Sequence, residues 1–506
     1  MVTVIYHQWR LKNSIFPAAY IFLNQIFTTF AIEIKGKYET MLVGCDVKDN
    51  KLIISYYNKR GIIDYKTISI PGEERYKWIP SMSETQFQTW DKSYIQKVPA
   101  FRYPRFRMEE MMIKLLKGRD RNEVFEYNKP IVAYLDIENY VDTKTNKFTK
   151  PELAEFPINL ISTLIGNTVY VYTILPRLSD EQLAQMRTDL NQRFKDYGMV
   201  TDYNIVYKWF PTEALLLDTI SHDLIPRIGF LTGWNVIEYD WQYIHNRCEK
   251  LGINFLQYCP IKETTGRFDL PIHMGVIDYI EAIKAFRPIK DLANTKLETV
   301  AKKTINIGKL ENPYNSFSEY INDTYRFTLY NIIDVATIQQ IEKKISMLEL
   351  SFAVCNISQI EMSKIFSSVY MTEIFMCREF YNRGICLPEV KKDNKKGPKY
   401  AGAYTECKRP GFFRYFMGLD FNSMYPNIGI EWNISPETYL GFADKAYPAK
   451  LPSSFCKTAK NTLFDTTHMG VAPFLFKNYY DQRCDIQAEK RMYEKAIDEY
   501  EHKNKL

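Results

Sequence analysis

The sequence lacks the cysteine patterns of zinc proteins. Nine cysteines occur in 506 residues, but none forms a Cys-x-x-Cys pair and none has a histidine partner at the spacing of a zinc site. No Ser-His or Cys-His pairing stands out either, so nothing predicts covalent catalysis. The cysteines are scattered in a way that indicates a reduced, intracellular compartment, at positions 45, 248, 259, 355, 377, 386, 407, 456 and 484.

Long apolar runs and a strong excess of charge are also missing. The most apolar N-terminal stretch, residues 15–34, contains Asn24 and Gln25 and follows Lys12 and Asn13, so it falls short of a membrane span. We expect a core segment there, with a signal-like role as the alternative, and no membrane partner. The net charge of +6 is modest, so any grip on nucleic acid must come from local basic stripes.

The chain is long enough for several domains. Its 506 residues and 46% hydrophobic content predict about three or four domains of the usual size. Alternating runs predict a β-rich N-terminal domain over residues 1–129. Basic and aromatic residues interleave at 101–107, where they could stack on single-stranded bases or form a solvated domain edge. From residue 130 to 350, strands alternate with amphipathic helices, which predicts an α/β layer structure.

An apolar strand at residues 131–138 is predicted to end in two acidic residues. Asp136 and Glu138 are two positions apart, so both carboxylates point to one face of the strand. Such a pair can bind Mg²⁺, and two metal ions about 3.5–4 Å apart can activate water and stabilise the leaving oxygen of a phosphodiester. Ordinary exposed acids at a strand end are the alternative, because Asp-x-Glu alone is weak evidence.

Two further segments of this region carry acidic residues. A turn after an apolar strand presents Asn235 and Asp240 ahead of a helix, although Asp240 could also be an N-cap. Tyr330 and Asp334 stand at i and i+4, on one face of a predicted helix. There the phenol could hold an attacking water beside a metal ion that Asp334 helps to bind.

A fourth acidic segment lies at residues 418–426. A predicted strand ends there in Asp420, whose carboxylate can bind metal, and a turn follows in which backbone N–H groups and the Ser423 hydroxyl can cradle triphosphate oxygens. For Tyr425 and Pro426 the alternative is a packed turn before a helix. A charged helix is predicted from about Lys477 onward, and alone it would be marginally stable.

Together these motifs resemble family B DNA polymerases. Residues 131–138, 232–244 and 330–334 match the proofreading exonuclease of that family, which has a ribonuclease H-like fold. Residues 277–286 and 307–310 look like the T-even phage branch in particular. The resemblance implies an α/β multidomain protein that acts in the cytoplasm of an infected host cell.

The resemblance also assigns roles in the exonuclease. It implies 3′→5′ hydrolysis of the terminal nucleotide of a frayed, single-stranded 3′ end of primer–template DNA. Tyr330 would position the water, and two Mg²⁺ or Mn²⁺ ions would be bound by Asp136, Glu138, Asp240 and Asp334.

In the polymerase part, Asp420 matches the metal-binding residue of the first palm motif. Tyr425 would exclude a ribose 2′-OH, and Gln487 stands where a basic residue is expected. The implied dNTP-binding residues are Ser423, Met424, Tyr425 and Arg483, where methionine at position 424 replaces the more common leucine and conserves apolar volume.

The implied domains follow the order of the family. They are an N-terminal domain (1–129), a ribonuclease H-like 3′→5′ exonuclease (130–350), a helical return with a linker (351–395), a partial palm (396–468) and truncated fingers (469–506). Residues 400–403 and 432–438 resemble family text within the partial palm, and the Lys/Gly/Pro-rich stretch 391–398 is the clearest boundary.

Two motifs needed for polymerisation are missing from the sequence: the fingers pattern Lys-x-x-x-Asn-x-x-Tyr-Gly and the palm Asp-Thr-Asp. We therefore expect no nucleotide addition by this chain alone, and dNTP binding only after assembly with a second chain. A sliding clamp would bind through the missing half. The alternatives are a non-catalytic nucleic-acid-binding remnant and a truncated fragment of a single-chain polymerase.

Overall fold

The computed structural model describes residues 42–385, 406–443 and 451–504, with short gaps at residues 90–92, 102, 104–107, 109–110, 113, 126–127, 143–144, 146–148, 260, 263, 266–267, 359–361, 413, 416 and 422. Three segments singled out above therefore lie outside the described residues: the apolar stretch 15–34, the linker 391–398 and the motif 400–403. Most of the basic and aromatic stretch 101–107 lies outside them as well.

The described residues form a mixture of strands and helices. The strands are β1 (Leu42–Lys48), β2 (Lys51–Tyr57), β3 (Ile63–Ser69), β4 (Tyr76–Pro80), β5 (Phe87–Gln88), β6 (Tyr94–Pro99), β7 (Val132–Asn139), β8 (Ile158–Ile165), β9 (Thr168–Thr173), β10 (Asn204–Trp209), β11 (Phe230–Gly233), β12 (Thr264–Thr265), β13 (Leu270–Pro271), β14 (Gly275–Asp278), β15 (Tyr439–Phe442), β16 (Phe455–Lys457) and β17 (Thr462–Asp465). The α-helices are α1 (Gly118–Phe125), α2 (Asp180–Lys195), α3 (Glu213–Thr219), α4 (Gln242–Lys250), α5 (Tyr279–Phe286), α6 (Leu297–Ile305), α7 (Phe317–Asn322), α8 (Thr324–Ile345), α9 (Met347–Ser358), α10 (Ser368–Asn382), α11 (Met424–Glu431) and α12 (Val471–Asn504).

The chain divides into two compact units. The larger unit comprises Tyr38–Ile70 and Met108–Phe366, and the smaller unit includes Pro71–Arg107 and Ser367–Leu506. The domain boundaries given above, at residues 129, 350, 395 and 468, remain predictions.

The larger unit is built on a six-stranded sheet with the order β10-β9-β8-β7-β11-β14. Strands β7, β8 and β9 are antiparallel, whereas β10, β11 and β14 each pair in parallel with a neighbour. In β8, the sequence INLISTLI is buried at all but its last position, as expected for a strand covered on both faces. The register places Asp136 opposite Ser162 and Glu138 opposite Leu160.

One long helix covers the part of this sheet that carries the predicted acidic residues. Helix α8 packs on β7 and β8 and is buried along most of its 22 residues. The Asp323 side chain caps its N-terminus by accepting a hydrogen bond from the Arg326 N–H at 3.1 Å. A helix that is buried nearly all round can place both apolar and polar side chains against its neighbours.

The remaining sheets are small and antiparallel. Strands β1, β2 and β3 belong to the larger unit, and the smaller unit has the sheets β4-β6-β5 and β15-β17-β16. The predicted β-rich N-terminal region is therefore confirmed. In the part of the chain that the structure describes, none of the helices is long and apolar enough to cross a membrane.

Two predictions about the C-terminal part are corrected. The strand expected to end at Asp420 is wrong, since residues 417–421 have no regular secondary structure. Leu419 and Phe421 are 87% and 79% exposed, so they lack the neighbouring strand that a buried palm strand requires. The charged helix begins at Val471 rather than near Lys477, because its first turns carry buried apolar residues.

Candidate active sites

The structure gathers four predicted carboxylates in the larger unit. Asp136 and Glu138 come from β7, Asp240 from the π-helical turn that follows β11, and Asp334 from α8. Three of them are buried, with exposures of 8% for Glu138, 3% for Asp240 and 5% for Asp334. Three separate elements thus bring negative charge to one buried place.

The carboxylates are close enough to disturb one another electrostatically. Burial, followed by the charge of Asp334, raises the pKa of Asp136 to about 7. Burial and then the charges of Asp136 and Asp334 raise the pKa of Glu138, and burial and then Asp136 raise the pKa of Asp240. Carboxylates that destabilise each other in this way are a suitable place for a cation.

Three of the four carboxylates accept hydrogen bonds from defined donors. The Asn331 Nδ2 group donates to Asp136 Oδ2 at 2.6 Å. The backbone N–H of Ile137 donates to Asp240 Oδ1 at 2.9 Å, and Lys309 Nζ donates to Asp334 Oδ2 at 2.6 Å. Asp240 is not an N-cap, which was the alternative above. It lies inside the helical turn Val236–Trp241, whose N-cap is Asn235 in a left-handed conformation, and the N-cap of α4 is Trp241.

Tyr330 and Asp334 lie on one face of α8, as their spacing predicted, and Lys309 joins them. Its Nζ atom lies 2.8 Å from the Tyr330 hydroxyl and 4.9 Å from the centre of the ring. Burial disfavours the charged ammonium, but Asp334 and Tyr330 outweigh it and raise the pKa of Lys309 above its usual value. Sequence reasoning had noted residues 307–310 only as a family resemblance and missed this lysine.

The turn that carries Lys309 is anchored on both sides. Asn306 ends α6 in a left-handed conformation, and Ile307 is completely buried. From α2, the Arg193 Nη2 group donates to the Gly308 carbonyl oxygen at 2.6 Å. The lysine is therefore presented by a fixed backbone.

The loop that carries Asp240 is fixed by a residue that the sequence did not reveal as a site residue. The Asp278 carboxylate, at the end of β14, accepts hydrogen bonds from the N–H groups of Asn235 (3.1 Å) and Ile237 (3.2 Å). It also caps α5 by accepting from the Ile280 N–H at 2.9 Å. The ends of two adjacent parallel strands are thus tied together beside the cluster.

The donor set fits hard divalent cations, because carboxylate oxygens are the ligands that Mg²⁺ and Mn²⁺ prefer. The excess of negative over positive charge also fits, since Lys309 is the one cation paired with these carboxylates in the described residues. Among the described residues, however, no three His, Cys, Asp or Glu side chains are arranged so that they could together hold a metal ion. The carboxylates are neighbours without forming a closed ligand triad.

The predicted polymerase residues lie in the smaller unit and form no comparable cluster. Asp420 is exposed, and Ser423 adopts a left-handed conformation (φ 50°) at the N-cap of α11. Met424 and Tyr425 are 40% and 38% exposed. On α12, the Arg483 Nε atom is buried and has no hydrogen-bond partner among the described residues.

Helix α11 is nevertheless packed against its neighbours. Pro426 is buried within the first turn of α11, and not in a packed turn that precedes the helix, which was the alternative above. Gly429 lies directly against Phe476 of α12, where an added Cβ would meet the ring at 2.8 Å. Helices α11 and α12 therefore form a close pair at this point.

Comparisons with known proteins identify the family that the sequence resembles. The sequence model of the family B DNA polymerase exonuclease domain matches residues 108–274, and the model of DNA polymerase family B matches residues 360–503. The DNA-directed DNA polymerase of Escherichia phage RB69 is 26% identical over 357 residues, which cover 66% of this chain and 38% of the phage protein. That of Enterobacteria phage T4 is 25% identical over 432 residues, covering 77% of this chain and 47% of the phage protein.

The fold is also similar to a solved structure, the family B DNA polymerase of the hyperthermophilic archaeon Pyrobaculum calidifontis. The TM-score is 0.57 with 16% sequence identity, over 90% of this chain and 64% of that one. The chain spans less than half the length of the two phage relatives. The predicted fold class, with an exonuclease domain, a β-rich N-terminal region and a partial polymerase region, is confirmed.

Proposed function

Because the chain belongs to the family B DNA polymerases, we propose that its larger unit removes nucleotides from 3′ ends of DNA with two divalent metal ions. The ions would be held by Asp136, Glu138, Asp240 and Asp334. The observation that supports this proposal is the convergence of these carboxylates from three elements, with Tyr330 and Lys309 beside them.

When bound, Mg²⁺ or Mn²⁺ supplies Lewis-acid activation of water and stabilisation of the leaving oxygen. The residues of the chain prepare the place for that chemistry. Tyr330 offers a hydroxyl that can orient water, and its hydrogen bond with Lys309 fixes the direction of that hydroxyl. Lys309 also offsets part of the negative charge through Asp334, and its positive charge would attract an anionic phosphodiester.

The proposed substrates are primer–template DNA and single-stranded 3′ ends. The relatives named above are DNA-directed DNA polymerases, and this supports DNA as the substrate. We also propose that the protein acts in an infected host cell and that a sliding clamp is one of its partners.

For the smaller unit we propose the beginning of a polymerase site. Asp420 would bind metal, and the dNTP would contact Ser423, Met424, Tyr425 and Arg483. The match of residues 360–503 to the family supports this role, and so does the left-handed conformation of Ser423 at the start of α11, because the N-terminus of a helix offers unpaired backbone N–H groups.

DNA synthesis would require a second chain that supplies the rest of the palm, fingers and thumb. Exposed Leu419 and Phe421 beside Asp420 support that expectation, because an assembled palm would bury them. Mixing with a chain that carries those parts should raise the unfolding temperature and start dNTP incorporation. No change in either quantity at saturating partner would contradict the split.

The nuclease proposal is tested with a 5′-labelled single-stranded oligonucleotide and Mg²⁺. The wild type should shorten it stepwise from the 3′ end, and Asp136→Ala/Glu138→Ala should abolish the shortening. Glu152→Ala/Glu249→Ala is the matched control, because both residues are exposed acids of the same unit. Incorporation of dNTP is measured in parallel and should be absent.

Other outcomes would select the alternatives. DNA binding without any degradation by the wild type would favour the non-catalytic remnant. Incorporation of dNTP by this chain alone would contradict the claim that its polymerase site is incomplete.

A further inference from the structure

Asn331 contributes an uncharged amide side chain beside the carboxylate cluster. It follows Tyr330 on α8, it is 0% exposed, and its Nδ2 group donates to Asp136 Oδ2 at 2.6 Å. The orientation of the amide is fixed by chemistry, because an ionised carboxylate only accepts hydrogen bonds and the amide nitrogen is the only donor that Asn331 can offer. In this hydrogen bond, therefore, Asn331 on α8 is the donor and Asp136 on β7 is the acceptor.

No other described residue donates a hydrogen bond to Asp136. Ser162 lies opposite Asp136 on the neighbouring strand, but its hydroxyl is buried and has no hydrogen-bond partner among the described residues. The terminal torsion of an aspartate is broad, so a carboxylate without a donor would adopt several orientations. With Oδ2 occupied by Asn331, only Oδ1 of Asp136 is left without a protein partner.

The same arrangement recurs at two other carboxylates. Asp240 has Oδ1 held by the Ile137 N–H, and Asp334 has Oδ2 held by Lys309. Asp334 also has a hydrogen bond with the Tyr330 side chain, so hydrogen bonds from the protein orient each of these carboxylates. Asn331 is a neutral side chain, so it fixes Asp136 without adding or removing charge.

We propose that Asn331 is a positioning residue for metal binding, which holds Asp136 Oδ2 so that Oδ1 is directed to a divalent cation. This inference rests on the proposed nuclease function. Hydrogen-bond partners of metal-binding carboxylates typically account for a 10–100-fold change in metal affinity when they are removed.

A buried amide can also serve packing alone, and the same helix contains a matched example of that role. Gln340 of α8 is 5% exposed, and its Nε2 group donates to the Tyr203 hydroxyl at 2.6 Å. It makes one buried hydrogen bond of the same length as Asn331, but its partner is a phenol and not a carboxylate. Asn331→Leu and Gln340→Leu each remove one such bond.

The test is a Mn²⁺ titration of the intact chain at pH 7, followed by the electron paramagnetic resonance signal of free Mn²⁺. Wild type, Asn331→Leu and Gln340→Leu are compared, and Asp136→Ala/Glu138→Ala identifies the ions bound at the cluster. We expect Asn331→Leu to bind those ions about 10–100-fold more weakly than wild type, and Gln340→Leu to bind them with wild-type affinity. Equal affinities for Asn331→Leu and Gln340→Leu would overturn the inference.

Unfolding temperatures separate positioning from folding. Both leucine variants lose a buried hydrogen bond and should be destabilised to a similar degree, so only the metal affinity distinguishes them. If Asn331→Leu does not fold, Asn331→Ala replaces it with the same expectation for Mn²⁺.

Failure of this inference differs from failure of the proposed function. If the wild type neither binds Mn²⁺ at the cluster nor shortens DNA, the nuclease proposal fails and the positioning role fails with it. If the wild type does both and Asn331→Leu matches Gln340→Leu, only the positioning role is wrong.

Discussion

The two units carry acidic motifs of the same family in opposite environments. In the larger unit, Asp334 is 5% exposed and is bound to Lys309, and its neighbours come from strand, turn and helix. In the smaller unit, Asp420 is exposed between Leu419 and Phe421, which are also exposed. The difference teaches that an acidic motif can form a site only where the fold brings further polar side chains next to it.

The largest effect is expected when an aspartate is replaced by alanine in each unit and the two variants are compared. Asp334→Ala should reduce hydrolysis of a single-stranded oligonucleotide by about 10⁴-fold, since it removes a member of a group that acts as a unit. Asp420→Ala should leave the rate unchanged, because Asp420 belongs to the other unit. Single-turnover degradation rates check both variants. A loss of hydrolysis in Asp420→Ala would break the separation of the two sites.

The contrast also extends to stability, through a buried ion pair of the larger unit. Arg247 on α4 donates to both carboxylate oxygens of Glu213 on α3, and the same Glu213 accepts from the Ile158 N–H at 2.7 Å. Arg247→Met leaves a buried carboxylate unpaired and should cost about 3–5 kcal/mol. Hydrogen exchange should then accelerate in β8 and not in α11.

A matched double variant keeps this prediction falsifiable. Glu213→Leu/Arg247→Met removes both charges together and should recover much of the lost protection, because no unpaired charge stays buried. Equal losses in the single and double variants would show that packing, and not charge, stabilises this corner of the unit.

Acid should weaken the larger unit through His273. The residue is 1% exposed, and neither ring nitrogen has a hydrogen-bond partner among the described residues. Burial lowers the pKa of His273 from 6.5 to about 4. Between pH 6.5 and 4 the unfolded chain therefore binds a proton that the folded chain does not, so stability falls as the pH falls through this window.

The expected contribution is about 3 kcal/mol, fully present above pH 6.5 and lost toward pH 4. Denaturation measured across this range, with His273→Phe as the comparison, checks it. The variant should have the shallower pH dependence, and parallel curves for the two proteins would contradict the assignment.

The smallest expected effect concerns Lys309. Lys309→Met keeps the length of the side chain but removes the ammonium that contacts Tyr330 and Asp334. Hydrolysis should fall about 10–100-fold, in the range expected for a partner of a metal-binding group. An exposed lysine of the same unit, Lys303→Met, is the control for net charge. Equal rates for both variants would show that Lys309 has no specific role.

Local spacing predicted much of this arrangement. Asp136 and Glu138 were expected on one face of a strand, and Tyr330 and Asp334 on one face of a helix, because these periodicities depend only on the backbone. The mixed α/β architecture followed from the alternation of strand and helix patterns. Whether these residues bind metal or catalyse a reaction stays a prediction.

What local spacing missed depends on contacts between distant segments. Asn331 stands 195 positions after its partner Asp136, and Lys309 stands 25 positions before its partner Asp334. No local pattern distinguishes either residue from an ordinary helix amide or surface lysine. Asp278 looks like an ordinary helix cap, which it also is. The strand predicted before Asp420 failed for a similar reason, since a strand needs a neighbour that the described residues do not provide.

The Asp278 carboxylate fixes the loop that carries Asp240 before any cation binds. By joining the Asn235 and Ile237 N–H groups to the start of α5, it holds the Asp240 loop in place with covalently remote parts of the same sheet. The loop is thus preorganised, and cation entry need not first freeze a mobile backbone. If the cluster binds a cation, little of the binding free energy would be lost to conformational entropy, and this favours tight binding.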